Sequence, residues 1–472
     1  MSVEAEHLGV PGTRKEFAIF GAIIVVSGLL FFFLLKDFNQ TMASTVFLAT
    51  VVGTLMFWRF RVAIAFAGVS LLLLTRTIDL EHMILFMNVD VIIFLVGMMV
   101  VVALVRETGF FFWLQLKMIK LTGFRPRRFL AMLLLMAAVM AALVDEVTSI
   151  LFVTAIVFDF CERYKINPVN YIISVVLATN IGSSWTVMGN PIGILIALRA
   201  GLTFEDFMRW SFPIGFVCLL VLIGILLWWQ RSDLRLLKSR MEADLEPSAI
   251  DEWAEVKDKG FFRGGVILFA TVIVSVALHH RLELALDLPS NTVLIVASIA
   301  GAAIAMFWKR GEARKYLTQG VDWWTLIFFM FLFAKAGCLA YTGVTDRIAD
   351  AFVGISTNPL FLTPLTALIA AFGSAAMDNV VLVAAFIPII HRLAEAGVYT
   401  FPLWWALLFG GCYGGNITMV GSTANIVALG VLERRGGHYI TLREWILIGL
   451  VAGLVPVIIG ILLLLAQIPL MP

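Results

Sequence analysis

Charged residues are scarce in this sequence. They make up 14% of its 472 residues, against 61% hydrophobic residues, and the mean hydropathy is +0.99. A water-soluble domain of this length needs far more polar surface, so the composition excludes a soluble globular protein. Long apolar runs are instead typical of transmembrane helices. The sequence therefore predicts an all-α polytopic membrane protein.

Cysteine is also rare, and its spacing fits neither disulfides nor zinc. The four cysteines lie in apolar segments without CxxC or CxxH spacing, so we expect buried free thiols: Cys161, Cys218, Cys338 and Cys412. The net charge of +2 gives no indication of a nucleic-acid partner. We expect neither a cofactor nor a bound metal. The first sixteen residues lack the features of a signal peptide, so residues 17–35 should be a retained helix.

The polar residues that are present concentrate in a short stretch that occurs twice. Residues 182–194 read GSSWTVMGNPIGI, and residues 414–426, 232 positions later, read GGNITMVGSTANI. Their glycines and small polar residues favour backbone that leaves the helix, which only a protein-enclosed polar site tolerates in a membrane. Paired interruptions of this kind point to a transporter binding site. We predict two broken helices, over 168–198 and 401–430.

Further landmarks recur at nearly the same offset. Asp90 and Asp322 are 232 residues apart, and Asp145 and Asp378 are 233 apart. The chain is therefore interpreted as a duplicated unit. The predicted divisions are 1–60 (cytoplasmic tail and first helices), 61–230 (first repeat), 231–263 (cytoplasmic linker) and 264–472 (second repeat).

Two apolar segments are interrupted by acids. Asp145-Glu146 separates residues 129–144 from 147–160, and Asp378-Asn379 separates 359–377 from 380–390. At about 1.5 Å per residue the first pair of arms is about 21–24 Å long, short of the ~30 Å hydrocarbon core. Two re-entrant hairpins with polar tips are expected.

Positive charge predicts the orientation. The basic loop 106–128 follows the helix at 90–105, whereas the basic loop 309–315 precedes its counterpart at 323–342. By the positive-inside rule the repeat is inverted, with about eleven transmembrane helices, a cytoplasmic N-terminus and an outside C-terminus. The predicted location is the cell inner membrane.

Acids within the membrane are candidates for function, because each costs roughly 2.5–3.5 kcal/mol to insert. Asp145, Glu146 and Asp378 qualify, and one of them could carry a proton across the membrane. The alternative is that they cap hairpin helices or face water. Glu146 in particular is expected to matter less if it faces water at the tip.

Neutral side chains at the breaks supply hydrogen-bonding groups. They either bind a ligand or cap the local backbone, and the candidates are Asn180, Ser183, Ser184, Thr186, Asn190, Asn416, Thr418, Ser422 and Asn425. Lys335 lies about thirteen positions into an apolar helix. Its amine either extends to the interface or pairs with Asp378 or Asp145, and such a pair would favour proton coupling over sodium coupling.

Five strings carry a resemblance to a known family: FLVGMMVVVALVRETGFF, LVDEVTSILF, TNIGSSWTVMGNP, MDNVVLV and GGNITMVGSTANIVALG. They resemble the ion transporter superfamily, above all the bacterial arsenite/antimonite efflux permeases and the related melanosomal P protein and Na⁺/H⁺ antiporters. The resemblance covers about 85–230 and 320–430. It implies an elevator-type carrier, often a homodimer, with a site lined by Asp145, Thr148, Asn180, Asp378, Asn379, Asn416 and Thr418. An arsenite permease can also have a cytoplasmic ATPase subunit as partner.

The sequence departs from that family at two places. The family commonly has Asp-Asn where this chain has Asp145-Glu146, and Gly-Asp-Pro-Pro-Asn where this chain has Gly-Asn-Pro-Ile-Gly over 189–193. One acid is lost at Asn190 and one is gained at Glu146. A direct transfer of the family's cation ligands is therefore not justified.

These observations predict a secondary active transporter of the lipid bilayer that couples efflux of arsenite or antimonite to H⁺. Na⁺/H⁺ antiport is the alternative, followed by transport of a carboxylate or another anion. Clustered acids without an arginine near the breaks disfavour an anionic substrate. An intramembrane enzyme using paired aspartates would leave the duplicated breaks without a role, so no enzymatic activity is expected.

Overall fold

The computed structural model describes residues 14–122, 125–242, 253, 256–436 and 440–472. All regular secondary structure in these residues is helical. Eight of the described helices are long and apolar enough to cross a membrane. The prediction of an all-α polytopic membrane protein is therefore confirmed.

In the first half of the chain the α-helices are α1 (Arg14–Leu35), α2 (Phe38–Met56), α3 (Arg61–Leu74), α4 (Leu80–Phe86), α5 (Val89–Glu107), α6 (Phe110–Leu121), α7 (Pro126–Leu143), α8 (Glu146–Tyr164), α9 (Val169–Gly182), α10 (Pro191–Ala200), α11 (Phe204–Asp206), α12 (Phe212–Trp229) and α13 (Arg231–Glu242). A 3₁₀ turn covers Trp58–Phe60, and a π-helical segment, Phe207–Ser211, joins α11 to α12.

In the second half they are α14 (Lys259–Ala277), α15 (His279–Leu286), α16 (Thr292–Trp308), α17 (Ala313–Gln319), α18 (Trp323–Tyr341), α19 (Val344–Ile355), α20 (Pro359–Ala376), α21 (Asn379–Glu395), α22 (Phe401–Gly414), α23 (Thr423–Gly436) and α24 (Leu442–Gln467). A 3₁₀ turn, Ile468–Leu470, follows α24.

The helices group into two compact units that alternate along the chain. The first unit takes its described residues from Met1–Ile92, Asp322–Leu362 and Val380–Thr400. The second takes them from Ile93–Val321, Thr363–Asn379 and Phe401–Pro472. The domain boundaries proposed from the sequence stay a prediction.

The first unit has an apolar core in which α2, α3 and α4 pack with α18. Val46, Val69, Met83 and Cys338 are among its buried side chains. Polar contacts fasten the same helices: the buried guanidinium of Arg61 donates to Thr325 Oγ1 at 2.6 Å, at the start of α18. The buried guanidinium of Arg61 therefore has a hydrogen-bond partner, as a buried charged group requires.

The second unit contains the first predicted hairpin. The rings of Phe129 on α7 and Phe160 on α8 stack with centroids 3.7 Å apart, and Ser149 Oγ donates to Ala137 O at 3.1 Å. Going from Phe129 to Ala137 along α7 corresponds to going back from Phe160 to Ser149 along α8, so the two arms are antiparallel. The arms have 18 and 19 residues, about 27–29 Å at 1.5 Å per residue. They exceed the predicted length because the helices continue into polar residues at their outer ends.

The second hairpin has its predicted tip. Helix α20 ends at Ala376, α21 begins at Asn379, and only Met377 and Asp378 lie between them. Helix α21 continues to Glu395, five residues beyond the apolar run that the sequence showed. A boundary based on hydropathy alone ends too early where a helix carries polar residues into its last turn.

Both broken helices are present. Residues 183–190 separate α9 from α10, and residues 415–422 separate α22 from α23, so each break has eight residues. Gly182 and Gly414 end the first segments where the backbone of a hairpin arm passes at close range. A side chain at Gly182 would collide with the backbone of Ala138, and one at Gly414 with that of Ala371. Glycine is required at both positions.

The predicted linker begins as a helix. In α13 the side chains of Leu234, Leu237 and Met241 are buried, and Asp233 Oδ2 accepts from Asn170 Nδ2 at 2.7 Å. The start of the 231–263 segment is therefore packed within the second unit, to which it belongs. Most of residues 243–255 lies outside the described part of the chain.

Alanine at Gly182 or Gly414 should destabilise the protein, because a methyl group forces the hairpin arm away from the break. We expect a loss of about 1–3 kcal/mol for each change, seen as a lower melting temperature of the purified protein in detergent. The matched control is Gly224→Ala on α12, where an added methyl group meets no atom within 4 Å. Equal melting temperatures for all three variants would contradict the close packing.

Candidate functional site

Each break is tied to the hairpin of its own half by a threonine. Thr186 Oγ1 donates to Ala142 O at 2.5 Å, and Thr418 Oγ1 donates to Ala375 O at 2.6 Å. Both carbonyls lie in the last turn of a hairpin arm, where the helix leaves them without a backbone partner. The two predicted site threonines therefore position the breaks against the hairpins.

The two matching aspartates each accept a hydrogen bond close to their hairpin tip. Asp145 caps α8 by accepting from Thr148 N at 2.8 Å, which is the capping role that the sequence left open. Asp378 Oδ2 accepts from Thr423 Oγ1, at the start of α23, at 2.7 Å. The first half has Pro191 at the position matching Thr423, so no hydroxyl at that position can donate to Asp145. Both aspartates are nonetheless buried.

Glu146 is more deeply buried than either aspartate, with 1% of its surface exposed. Its Oε1 lies 3.5 Å from the hydroxyl of Ser422, and Ser183 of the first break also hydrogen-bonds to it. Asp145 and Asp378 both act on it electrostatically, and its Oε2 has no hydrogen-bond partner. The sequence expected a minor role if this acid faced water, but it is enclosed between the first hairpin tip and both breaks.

Three asparagines join the broken helices. Asn180 Nδ2 donates to Asn416 Oδ1 and to Asn425 Oδ1, both at 2.8 Å. Asn416 in turn donates to Leu177 O at 3.1 Å, and Asn425 to Gly415 O at 2.8 Å. Asn425 therefore bonds to backbone of the second break, Asn416 bonds to a carbonyl of α9, and Asn180 links the two side chains. Asn180 Oδ1 is left without a partner.

Asn190 caps α10 and reaches a residue that the sequence analysis missed. Its Oδ1 accepts from Gly193 N at 2.7 Å, while its Nδ2 donates to Ser183 Oγ at 2.8 Å and to Cys412 Sγ at 3.0 Å. Cys412 occupies the position that matches Asn180 in the repeat, so the 232-residue offset could have identified it. Ser184 shares a hydrogen bond of 3.0 Å with Tyr413 Oη, which makes it part of the packing between the broken helices.

Asn379 is the repeat counterpart of Glu146, 233 positions later. Its side chain is fully buried, and neither Oδ1 nor Nδ2 has a hydrogen-bond partner. Unsatisfied buried polar atoms each cost about 1–3 kcal/mol. Glu146, Asn180 and Asn379 thus retain hydrogen-bonding capacity for a ligand.

Lys335 belongs to the first unit. Its amine donates to Thr50 Oγ1 at 2.7 Å and to Ala65 O at 3.4 Å, and 1% of the residue is exposed. The sequence predicted either extension to the interface or a carboxylate partner. Instead, the neighbouring helices α2 and α3 supply neutral oxygens to a buried amine.

The chain is similar in sequence to a transporter family and to individual membrane proteins. The family model described as CitMHS, citrate transporter, matches residues 51–410. An uncharacterized transporter of Mycobacterium tuberculosis is 33% identical over 355 residues, which cover 74% of this chain and 79% of the relative. The P protein of Homo sapiens is 27% identical over 429 residues, covering 76% of this chain and 51% of that protein.

One solved structure shows the same fold. The YdaH transporter of Alcanivorax borkumensis matches with a TM-score of 0.52 and 16% sequence identity, over 81% of this chain and 85% of that chain.

Thr50→Val should destabilise the protein by about 1–3 kcal/mol, because the buried amine of Lys335 loses its nearest acceptor. Adding Lys335→Met, which removes the amine and keeps the side-chain length, should recover most of that loss. Thermal melting of the wild type, both single variants and the double variant completes the cycle. Additive effects would show that the 2.7 Å contact contributes no coupling.

Proposed function

The chain belongs to the CitMHS citrate transporter family of the ion transporter superfamily, and we propose that it is a secondary transporter driven by protons that bind at Glu146. The observation that carries this proposal is the burial of Glu146 with a free Oε2, close enough to Asp145 and Asp378 for electrostatic interaction. Three carboxylates in such surroundings need a proton or a cation among them. Release of that proton on the other side would couple transport to the pH gradient.

We propose a proton rather than a divalent metal cation at Glu146. A protonated Glu146 needs one acceptor, which the hydroxyl oxygen of Ser422 can supply. A bound cation needs several converging oxygen ligands. In the described part of the chain, no group of three or more His, Cys, Asp or Glu side chains converges closely enough to hold a metal ion.

For the substrate we propose a small, neutral, hydroxylated species, with arsenite and antimonite efflux as the leading candidate. The unpartnered atoms of Asn180 and Asn379 offer an acceptor and a donor to hydroxyl groups. The hydrogen bonds described above for Asp145, Glu146 and Asp378 come from a backbone N–H and from hydroxyl groups. A neutral solute can share this acidic environment without the repulsion that an anion would meet.

A carboxylate such as citrate is the second candidate, because the matching family model is described as a citrate transporter. A free tricarboxylate would be repelled by Asp145, Glu146 and Asp378. This candidate therefore requires that the substrate arrive protonated or with a neutralising cation.

For the transport cycle we propose an elevator-type mechanism of alternating access. The bonds from Thr186 to Ala142 and from Thr418 to Ala375 would keep each break and hairpin tip together while the site changes sides. The proposal includes a homodimer in the cell inner membrane, with the N-terminus in the cytoplasm and the C-terminus outside. An arsenite permease of this kind would also be able to bind a cytoplasmic ATPase subunit.

Glu146→Gln should abolish arsenite flux driven by an imposed pH gradient in proteoliposomes, because the amide cannot exchange the coupling proton. Asp378→Asn should reduce the same flux, since it alters the charge that Glu146 meets. The matched control is Glu162→Gln, the same change at an exposed position of α8. Melting temperatures of all variants check that the fold is retained.

The substrate and coupling ion are tested by repeating the flux measurement with antimonite and with citrate, each with and without Na⁺. Flux of citrate without flux of arsenite would replace the leading candidate with the second. A requirement for Na⁺ at every pH would favour a sodium-coupled carrier. Undiminished gradient-driven flux in Glu146→Gln would show that the proton is carried elsewhere.

A further inference from the structure

A strongly basic cavity lies between the N-terminal end of α7, in the first hairpin, and α13, the helix at the start of the linker. Its volume is about 760 Å³, within the range of ligand pockets. Its lining residues are Arg125, Pro126, Arg127, Arg128, Arg231, Leu234, Arg235, Lys238 and Met241. Six of these nine are cationic and none is acidic, so the cavity concentrates positive charge from two helices.

The start of α7 adds hydrogen-bond donors to this charge. Arg125 occupies the N-cap position but makes no side-chain capping bond, and Pro126 follows as the first helical residue. The first-turn N–H groups of Arg127 and Arg128 have no place in the helical ladder, which begins with Phe129 N bonding to Arg125 O at 2.8 Å. A helix N-terminus with flanking arginines favours a phosphate group.

The floor of the cavity is apolar. Leu234 and Met241 are buried side chains of α13, and Pro126 contributes an apolar ring from α7. A fully hydrated anion gains nothing from such a surface, whereas the glycerol and upper acyl region of a phospholipid can cover it. Basic loops of membrane proteins face the cytoplasm, whose leaflet carries anionic lipids.

From these contacts we propose that the cavity between α7 and α13 binds a phosphate-bearing ligand, specifically the headgroup of an anionic phospholipid. A free polyphosphate shares the same chemistry and is the other source of such a group. The bound phosphate would bridge the first hairpin arm to the linker helix. It would thereby neutralise the repulsion among the cationic side chains and hold the two helices together.

The test is native mass spectrometry of the full-length protein titrated with phosphatidylglycerol and, separately, with phosphatidylcholine. We expect preferential retention of phosphatidylglycerol by the wild type. Arg127→Gln combined with Arg235→Gln removes one cation from each helix and should weaken that retention by about tenfold or more. The matched control is Arg310→Gln combined with Arg314→Gln, the same change of charge at two exposed arginines outside the cavity.

A second pair, Arg127→Lys with Arg235→Lys, keeps the charge and should retain most of the binding, which covers the case in which the glutamine pair fails to fold. Pyrophosphate is the soluble probe, read out as a rise in melting temperature. Stabilisation by pyrophosphate without retention of phosphatidylglycerol would overturn the lipid assignment. Equal retention of both lipids, or equal loss in the cavity and control pairs, would overturn the site.

Discussion

Two hydrogen bonds, from Thr186 and Thr418 to the last turns of the hairpin arms, hold the candidate site together. A break in a membrane helix exposes backbone groups that lipid cannot satisfy, and the end of a hairpin arm leaves unpaired carbonyls. Each threonine hydroxyl, placed within a break, satisfies one of these hairpin carbonyls. Because Gly182 and Gly414 let the same hairpin arms approach closely, each break lies directly against the hairpin arm of its own half.

The two halves use this frame differently, and the differences create the chemistry of the site. Glu146 matches Asn379, Cys412 matches Asn180, and Thr423 matches Pro191. As a result the first hairpin tip has two adjacent acids, while the second has one acid bonded to a hydroxyl and one amide without a partner. The two halves have a similar backbone at the tip and the break. The residue differences between them give the site its acidic side chains and its buried polar atoms without hydrogen-bond partners.

Buried charge elsewhere in the protein follows a different rule. In the first unit Arg61 and Lys335 are bonded to the hydroxyls of Thr325 and Thr50. For Lys335, neutral oxygens on α2 and α3 accept from the buried amine, where the sequence predicted a carboxylate partner or extension to the interface. At the N-terminal end of α7, by contrast, six cationic side chains line one cavity, and we propose that an exogenous anion binds there.

The sequence by itself determined the class of protein, the positions of both breaks and the tips of both hairpins. These features depend on local composition: glycine, asparagine and acids interrupt apolar runs, and a fixed offset of about 232 residues repeats them. Local composition also identified Asp145, Asn180, Asp378 and their neighbours as polar residues that need an explanation. Local composition predicted the helix ends less well, because the apolar run of a helix can end before the helix itself. Helix α21, for example, continues through polar residues to Glu395.

Only the tertiary structure decided what each polar residue does. The sequence alone shows neither that Asp145 caps its own helix nor that Asp378 bonds to Thr423 at the start of α23. The partner of Lys335 was also beyond reach, because Thr50 lies 285 residues away and carries no charge to signal the contact. Burial and pairing are properties of residues brought together from distant parts of the chain, whereas a single sequence records only what is adjacent.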